Sequence, residues 1–184
     1  MNSVHAFTLL AMFTGAFAPS WSRAQESAKP ALEHARTEFD FTARAPYEEV
    51  FPLFGAYEER KWAKGFDPQF LHPSPAHDQQ GMVFTWNEDG TSNTWINTAF
   101  DVATGRVQYV YVVNDKMITL IDIHLARSGS KETRVTVAYE RTALHSEGNR
   151  QVTQHAAADR NKDKEWDEMI NGYLRKAAGD KSAK

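Results

Sequence analysis

A carboxylate and an imidazole two residues apart are the clearest acid–base candidates in the chain. Asp122 and His124 share one face of a predicted strand, because alternate residues of a strand point to the same side. A carboxylate next to an imidazole can orient it as a general base. The alternative is a solvated outer face, since Ile121 and Ile123 already supply the apolar side of the strand. The direction of His124 distinguishes the two interpretations.

Glu59 is a third acid–base candidate. Glu58 and Glu59 are followed directly by Arg60, Lys61 and Trp62. This pattern is typical of a solvated helix face with ion pairs. It also suits the mouth of a pocket, because the charges immediately precede a large aromatic residue. His124, Asp122 and Glu59 therefore remain candidates, and none of them is assigned as catalytic.

Metal and cofactor sites find little support in the sequence. His72 and His77 lie in a proline-rich segment that offers only Asp78 nearby as a third ligand. The chain contains no cysteine, which excludes disulfides, thiolate metal sites and cysteine nucleophiles. It also carries no Gly-rich phosphate loop and no Ser-His-Asp signature. We therefore predict no metal and no cofactor.

Aromatic side chains are the candidates for contact with a ligand. Tyr and Trp each bring a polar group that needs a partner when buried, and a pocket holding water or a ligand can supply one. The alternative is that these rings simply pack the core. The predicted ligand-binding residues are Trp62, Phe66, Trp86, Trp95, Tyr109, Tyr111, Tyr139, Trp166 and Tyr173.

Alternating apolar and polar residues predict the strands that position these side chains. Phe39 and Phe41 mark a first strand, and 69–72 is predicted as a short edge strand. Turn signals separate the later strands, so short connections join them as antiparallel hairpins. These strands are predicted over roughly 82–87, 91–101, 105–113, 116–127 and 131–143. One face of the resulting sheet is apolar and needs a cover.

A long C-terminal helix is predicted to cover that face. It begins at Gly148-Asn149 and continues to about Ala178, with apolar residues such as Trp166 and Ile170 at helical spacing. Two short helical pieces are predicted over 46–63, after the first strand. The fold class is therefore α+β, with about seven antiparallel strands packed on one long helix.

Length and charge limit the remaining classes. A chain of 184 residues suggests one domain. The net charge of −3, without a basic stripe interleaved with aromatics, argues against a nucleic-acid partner.

The first residues resemble an export signal. Ala6 to Ala18 form an apolar run that is shorter than the ~20 residues of a membrane span but suits a signal peptide cleaved near Ala24. No Lys or Arg precedes the run, so the alternative is a disordered or core-packing segment of a cytoplasmic protein. We expect a periplasmic or secreted protein without a stable membrane span after cleavage. The predicted organisation is a signal peptide over 1–24, a linker over 25–36, one domain over 37–178 and a disordered tail over 179–184.

Several segments in this order resemble the SRPBCC superfamily of START-like, polyketide cyclase/dehydrase and lipid-transport proteins. They are PYEEVFPLFGAYEERKWA at 46–63, GFDPQFLHP at 65–73, GMVFTW at 81–86 and YERTALHSEGN at 139–149. The resemblance implies a helix-grip fold, with a curved sheet around the terminal helix and a cavity between them. Relatives usually keep bulky apolar residues along the inner face of that helix. Here Asp159, Lys162 and Asp163 interrupt it, which argues against a closed, wholly apolar cavity.

The same resemblance implies a function in binding or carrying a small molecule. The expected ligand is hydrophobic or amphipathic, either a lipid or a polyketide-like compound, and an enzyme is the less favoured interpretation. A cyclase, dehydrase or hydrolase using the same cavity remains an alternative. An envelope interaction protein with a vestigial cavity is another. The oligomeric state is not predicted.

Overall fold

A computed structural model describes residues 31–88 and 90–182, and the structural statements below concern those residues. The predicted signal peptide lies outside them. Seven strands form an antiparallel sheet in the order β1-β7-β6-β5-β4-β3-β2. The strands are β1 (His34–Ala43), β2 (Gln69–His72), β3 (Val83–Glu88), β4 (Thr91–Asp101), β5 (Arg106–Val113), β6 (Met117–Arg127) and β7 (Thr133–Ala143).

The helices follow the predicted plan with one difference. Two short helices, α1 (Tyr47–Val50) and α2 (Ala56–Glu59), flank a 3₁₀ turn at Phe51–Phe54. The C-terminal helix consists of α3 (Asn149–Ala158) and α4 (Lys162–Ser182), joined by a 3₁₀ turn at Asp159–Asn161. The helix-grip architecture is confirmed, but the long helix is not continuous. Its interruption falls in the polar stretch that breaks the apolar pattern.

Two elements extend into the segments predicted as linker and tail. β1 begins at His34, inside the predicted linker, because the strand pairs with β7 from His34 opposite Thr142 onward. The α4 helix continues to Ser182, through much of the predicted tail. No apolar period marks either extension in the sequence. None of the helices in the described part of the chain has the length and apolar composition that a membrane span requires.

The inner face of the sheet is buried as the alternation predicts. In the middle of the sheet, Tyr109 of β5 lies opposite Ile121 of β6, which in turn lies opposite Tyr139 of β7. All three side chains are buried. Because inward residues alternate with outward ones, a single row across three strands brings these side chains together. This row forms the middle of the wall that faces the C-terminal helix.

Side-chain hydrogen bonds attach the C-terminal helix to the first strand. Asn171 of α4 is buried and accepts a hydrogen bond from the backbone N–H of Arg44 at 2.8 Å. Its Nδ2 group donates to the Thr42 carbonyl at 2.9 Å. At the start of α3, the Asn149 side chain bonds the backbone of Ala31 and Glu33. Both ends of the helical unit are therefore fixed to the chain that begins the sheet.

Candidate ligand-binding site

A cavity of about 270 Å³ lies between the inner face of the sheet and the C-terminal helix. Its walls are mainly aromatic. Eight of the nine predicted ligand-binding residues line it: Trp62, Phe66, Trp86, Trp95, Tyr109, Tyr111, Tyr139 and Trp166. Tyr173 does not line the cavity and packs, half-buried, against the core. Phe84 adds a ninth ring to the lining.

The aromatic walls are held by contacts among their own rings. Trp166 of α4 lies 5.8 Å from the ring of Trp62 and 6.1 Å from that of Phe54. On the sheet, Trp95 stacks on Tyr111 with ring centroids 3.7 Å apart. Such pairs stabilise beyond the area they bury, by ~0.5–1.5 kcal/mol each. The ring geometry is therefore fixed before any ligand arrives.

Hydrogen bonds to the 3₁₀ turn hold two of these rings at a definite depth. The Trp62 indole N–H donates to the Leu53 carbonyl at 2.7 Å. The Tyr109 hydroxyl donates to the Phe54 carbonyl at 3.0 Å. These contacts satisfy polar groups that would otherwise be buried without partners. They also connect the turn before α2 to the sheet.

The α2 helix carries Glu59 into the cavity lining, and a remote aspartate holds its first turn. Asp78 accepts hydrogen bonds from the backbone N–H groups of Tyr57 at 2.7 Å and Glu58 at 3.2 Å. The Asp78 carboxylate approaches so closely that a Cβ atom on Gly55 would lie 2.1 Å from its Cγ atom. Glycine is therefore required at position 55 for this contact.

Glu59 is the cavity residue with the most unusual electrostatics. Burial, and secondarily the nearby Asp78 carboxylate, raises the pKa of Glu59 from 4.5 to about 8. The side chain has no hydrogen bond and no ion pair within the described residues. Its neighbour Glu58 pairs with Lys61 instead. Glu59 thus points a carboxyl group, uncharged at neutral pH, at an aromatic cavity.

The cavity lining also includes Arg141, one member of a buried ion pair. Arg141 of β7 donates two hydrogen bonds to Asp159, and Thr37 of β1 donates a third to the same carboxylate. Both ionic side chains are almost inaccessible, at 3% and 2% of their surface. The guanidinium also lies 4.5 Å from the centre of the Tyr139 ring. The polar interruption of the helix is therefore a structural contact with the sheet.

Charged residues reach solvent where the cavity opens. Lys64 and Glu165 line it and are exposed, and Glu165 lies 3.8 Å from Lys162. His155 also lines the cavity; partial burial and the neighbouring Arg141 lower its pKa. We call Lys64, Lys162 and Glu165 the cavity mouth. An amphipathic molecule could place its polar end here.

Asp122 and His124 do not reach this cavity. They lie on the outer face of the sheet, where Asp122 is opposite Gln108 and Ala138. Asp122 bonds Arg106 at 2.9 Å, and His124 lies 3.4 Å away. Burial acts to raise the pKa of Asp122, but Arg106 and His124 outweigh it and the pKa is lowered. More than half of the His124 side chain is exposed, which matches the solvated alternative.

The two loop histidines are far from forming a metal centre. His77 contacts the Pro75 carbonyl and the Gln79 side chain, each at 3.0 Å. Within residues 31–88 and 90–182, no group of three or more His, Asp or Glu side chains could hold a metal ion.

Sequence reasoning did not single out Arg141, and a signal was present. Thr133, Val135, Val137 and Tyr139 predict the inner face of β7, and one more step of two reaches Arg141. A charged residue on a buried face requires a partner of opposite charge. Asp159, already conspicuous on the inner face of the helix, was the available candidate.

The sequence itself matches neither a protein-family model nor a curated protein. Solved structures are similar in fold. Norcoclaurine synthase from Thalictrum flavum, in complex with dopamine and hydroxybenzaldehyde, covers 70% of this chain and 84% of its own length, with 10% identity and a TM-score of 0.53. Ara h 8.0201 covers 78% of this chain and 99% of its own length, with 17% identity and a TM-score of 0.55. The Zhui aromatase/cyclase from Streptomyces sp. R1128 covers 79% of this chain and 96% of its own length, with 13% identity and a TM-score of 0.56.

These likenesses define the class at the level of fold. The chain shares the helix-grip fold of these solved structures, the fold that its sequence segments predict. At 10–17% identity the likeness concerns the fold, so the function has to be argued from this chain's own cavity.

Proposed function

We propose that this protein binds and carries a small aromatic or amphipathic molecule in the cavity between the sheet and the C-terminal helix. The observation that carries the proposal is the cavity itself: about 270 Å³ of unfilled space walled by nine aromatic rings. Burial of apolar ligand surface there gains about 25 cal/mol for each Å² removed from water. A vestigial cavity would instead be filled by side chains, and here the described side chains leave it open.

The size of the cavity favours a compact ligand. Pockets for drug-sized ligands measure roughly 300–1,000 Å³, and an apolar cavity of about 150 Å³ accommodates benzene. A cavity of about 270 Å³ therefore suits a molecule of one or two rings. The acyl chains of a lipid would extend beyond it, so a polyketide-like aromatic compound is the better fit among the expected ligands.

The proposal is tested with 2-naphthol, which has two fused rings and one hydroxyl group, and with decanoic acid as a single-chain lipid probe. Binding is measured by tryptophan fluorescence, because Trp62, Trp95 and Trp166 line the cavity. It is confirmed by the rise in melting temperature that a native-state ligand causes. We expect 2-naphthol to bind more tightly than decanoic acid.

A pair of tryptophan substitutions locates the binding. Met169→Trp adds volume on α4 inside the cavity and should weaken 2-naphthol binding at least tenfold. The control is Leu71→Trp, which places the same ring on the exposed side of the edge strand β2. Equal binding by both variants, or no response of the unaltered chain to either probe, would contradict the proposal.

An enzyme acting in the same cavity is the second candidate, and Glu59 is the observation that favours it. A carboxyl group with a raised pKa, exposed to a bound molecule, is suited to general acid–base catalysis. The discriminating experiment incubates a co-purified ligand with the unaltered chain and with Glu59→Gln, followed by mass spectrometry. A carrier returns the ligand unchanged in both cases, whereas an enzyme converts it only with Glu59 present.

Export to the periplasm or the exterior is part of the same proposal. It is supported by the apolar run from Ala6 to Ala18 and by the small-residue pattern ending at Ala24. Mass spectrometry of the protein from the periplasmic fraction of a bacterial host should give a chain that begins at Gln25. A full-length chain confined to the cytoplasm would refute export without affecting the ligand proposal.

A further inference from the structure

Of the two carboxyl groups in the cavity lining, Glu165 pairs with Lys162, whereas Glu59 has no hydrogen bond or ion pair within the described residues. Arg141, also in the lining, is compensated by Asp159. At the mouth, Lys162 is compensated by Glu165 at 3.8 Å, and Lys64 is exposed to water. The positive charges are therefore neutralised or solvated, and burial lowers the pKa of His155. The half-buried carboxyl group of Glu59 has no counterion within the described residues.

The groups around Glu59 favour a positive guest over a negative one. Asp78 brings a second carboxylate close enough to raise the pKa of Glu59. The phenol groups of Tyr109 and Tyr139, from β5 and β7, also feel the Glu59 charge. No Lys, Arg or His contributes to the pKa of Glu59. The electrostatic potential beside the Glu59 carboxyl group is thus negative whenever Glu59 is ionised.

Besides the carboxyl group of Glu59, the aromatic rings of the cavity wall favour an ammonium ion. Ring faces of Trp and Tyr attract organic cations, by ~2 kcal/mol or more once the cation is desolvated. A bare metal ion would leave these apolar walls unoccupied, and the described residues form no metal-ligand cluster. A positive charge attached to a ring or a short apolar chain satisfies both the carboxyl group and the walls.

We propose that the cavity selects a compact aromatic amine, bound as its ammonium ion with the charge on Glu59 and the ring between Trp62 and Trp166. The inference rests on the proposed function, since it names the class of ligand that the cavity accepts. At neutral pH the incoming ammonium ion displaces the Glu59 proton to solvent. One proton is released for each ligand bound, and no bond in the ligand is broken.

Three probes of matched size test the charge preference on the full chain by isothermal titration calorimetry. They are 2-phenylethylamine, 2-phenylethanol and 3-phenylpropionate, which are a cation, a neutral molecule and an anion at pH 7. We expect the amine to bind at least tenfold more tightly than the other two. Repeating the titration in buffers of different ionisation enthalpy should reveal the released proton.

The pH dependence and two variants identify the group responsible. Because an alkylamine stays protonated below its pKa of ~10, amine affinity should rise roughly tenfold or more from pH 6.5 to 8.5 as Glu59 ionises. Glu59→Gln should lose at least tenfold in amine affinity and leave 2-phenylethanol within twofold. Glu58→Gln, the same change outside the cavity lining, should bind all three probes as the unaltered chain does.

The outcomes separate this inference from the proposal on which it rests. Alcohol or acid binding as tight as amine binding, or an unchanged amine affinity in Glu59→Gln, overturns the ammonium site and leaves the aromatic cavity as a binding site. Failure of all three probes to bind, together with 2-naphthol, overturns both.

Discussion

Two carboxyl groups at or beside the cavity, those of Asp159 and Glu59, differ in their electrostatic compensation. Asp159 accepts hydrogen bonds from Arg141 and Thr37, so its negative charge is compensated within the fold. Glu59 has no such partner within the described residues, and its pKa rises to about 8. A compensated pair connects the helix to the sheet, whereas an uncompensated group is available to a ligand. The comparison separates a structural carboxylate from a functional one.

Removal of the compensated carboxylate should have the largest effect on stability. Asp159→Ala leaves Arg141 buried without its counterion, which costs about 3–5 kcal/mol of unfolding free energy. Urea denaturation measures the loss. The control is Asp40→Ala, which removes the exposed Arg134–Asp40 pair at 3.4 Å and should cost less than about 1 kcal/mol.

A double substitution sharpens this prediction. Arg141→Met combined with Asp159→Leu removes both charges and should recover most of the lost stability, since apolar replacements of buried pairs are often neutral or stabilising. Equal losses in Asp159→Ala and Asp40→Ala would show that the pair is not a significant contact.

Substitution of Glu59, the uncompensated carboxyl group, should increase the stability of the protein at alkaline pH instead of lowering it. The folded protein retains the Glu59 proton between pH 4.5 and about 8, where the unfolded chain has lost it. Stability therefore falls as pH rises through this window, by at most about 1.4 kcal/mol per pH unit for this group. Glu59→Gln keeps a neutral side chain at every pH.

Thermal or urea unfolding at pH 5 and pH 8 tests that prediction. The variant should match the unaltered chain at pH 5 and exceed it at pH 8. Asp78 also has a raised pKa, so a smaller residual slope of the same sign is expected in Glu59→Gln. A variant less stable than the unaltered chain at pH 8 would contradict the assignment of Glu59 as uncompensated.

Addition of one methyl group at Gly55 should disrupt the contact between Asp78 and α2, the helix that positions Glu59. Gly55→Ala forces Asp78 away from the backbone of α2 and should cost about 1–3 kcal/mol, with weaker amine binding. Gly172→Ala is the matched control, because its nearest contact is 3.9 Å away and alanine favours helices by up to about 1 kcal/mol. Chemical denaturation of the pair should give changes of opposite sign.

The smallest effect is expected from the carboxylate outside the cavity. Asp122→Asn weakens contacts with Arg106 and His124 on the outer face and should cost about 1 kcal/mol or less. Affinity for 2-naphthol should not change. A substantial loss of affinity would restore the outer-face pair as part of a functional site.

The sequence predicted the sheet better than the chemistry of the site. Period-two alternation identified β5, β6 and β7 because their inner faces are mostly apolar or aromatic. Aromatic residue type, within and outside the strands, predicted eight of the lining residues. The sequence could not rank Glu59 above Asp122, since the position of Glu59 depends on α2 and on the remote Asp78 that holds its first turn. Such contacts join segments about twenty residues or more apart and leave no local period.

The hydrogen bonds that attach the C-terminal helix to the sheet restrict how a ligand could enter or leave the cavity. Asn149, Asp159 and Asn171 bond the helical unit to the chain before β1, to β7 and to the end of β1. Lifting the helix would break these contacts together, which makes its detachment costly. A ligand of the proposed kind would therefore enter and leave at the cavity mouth beside Lys64 and Glu165, where the lining is exposed.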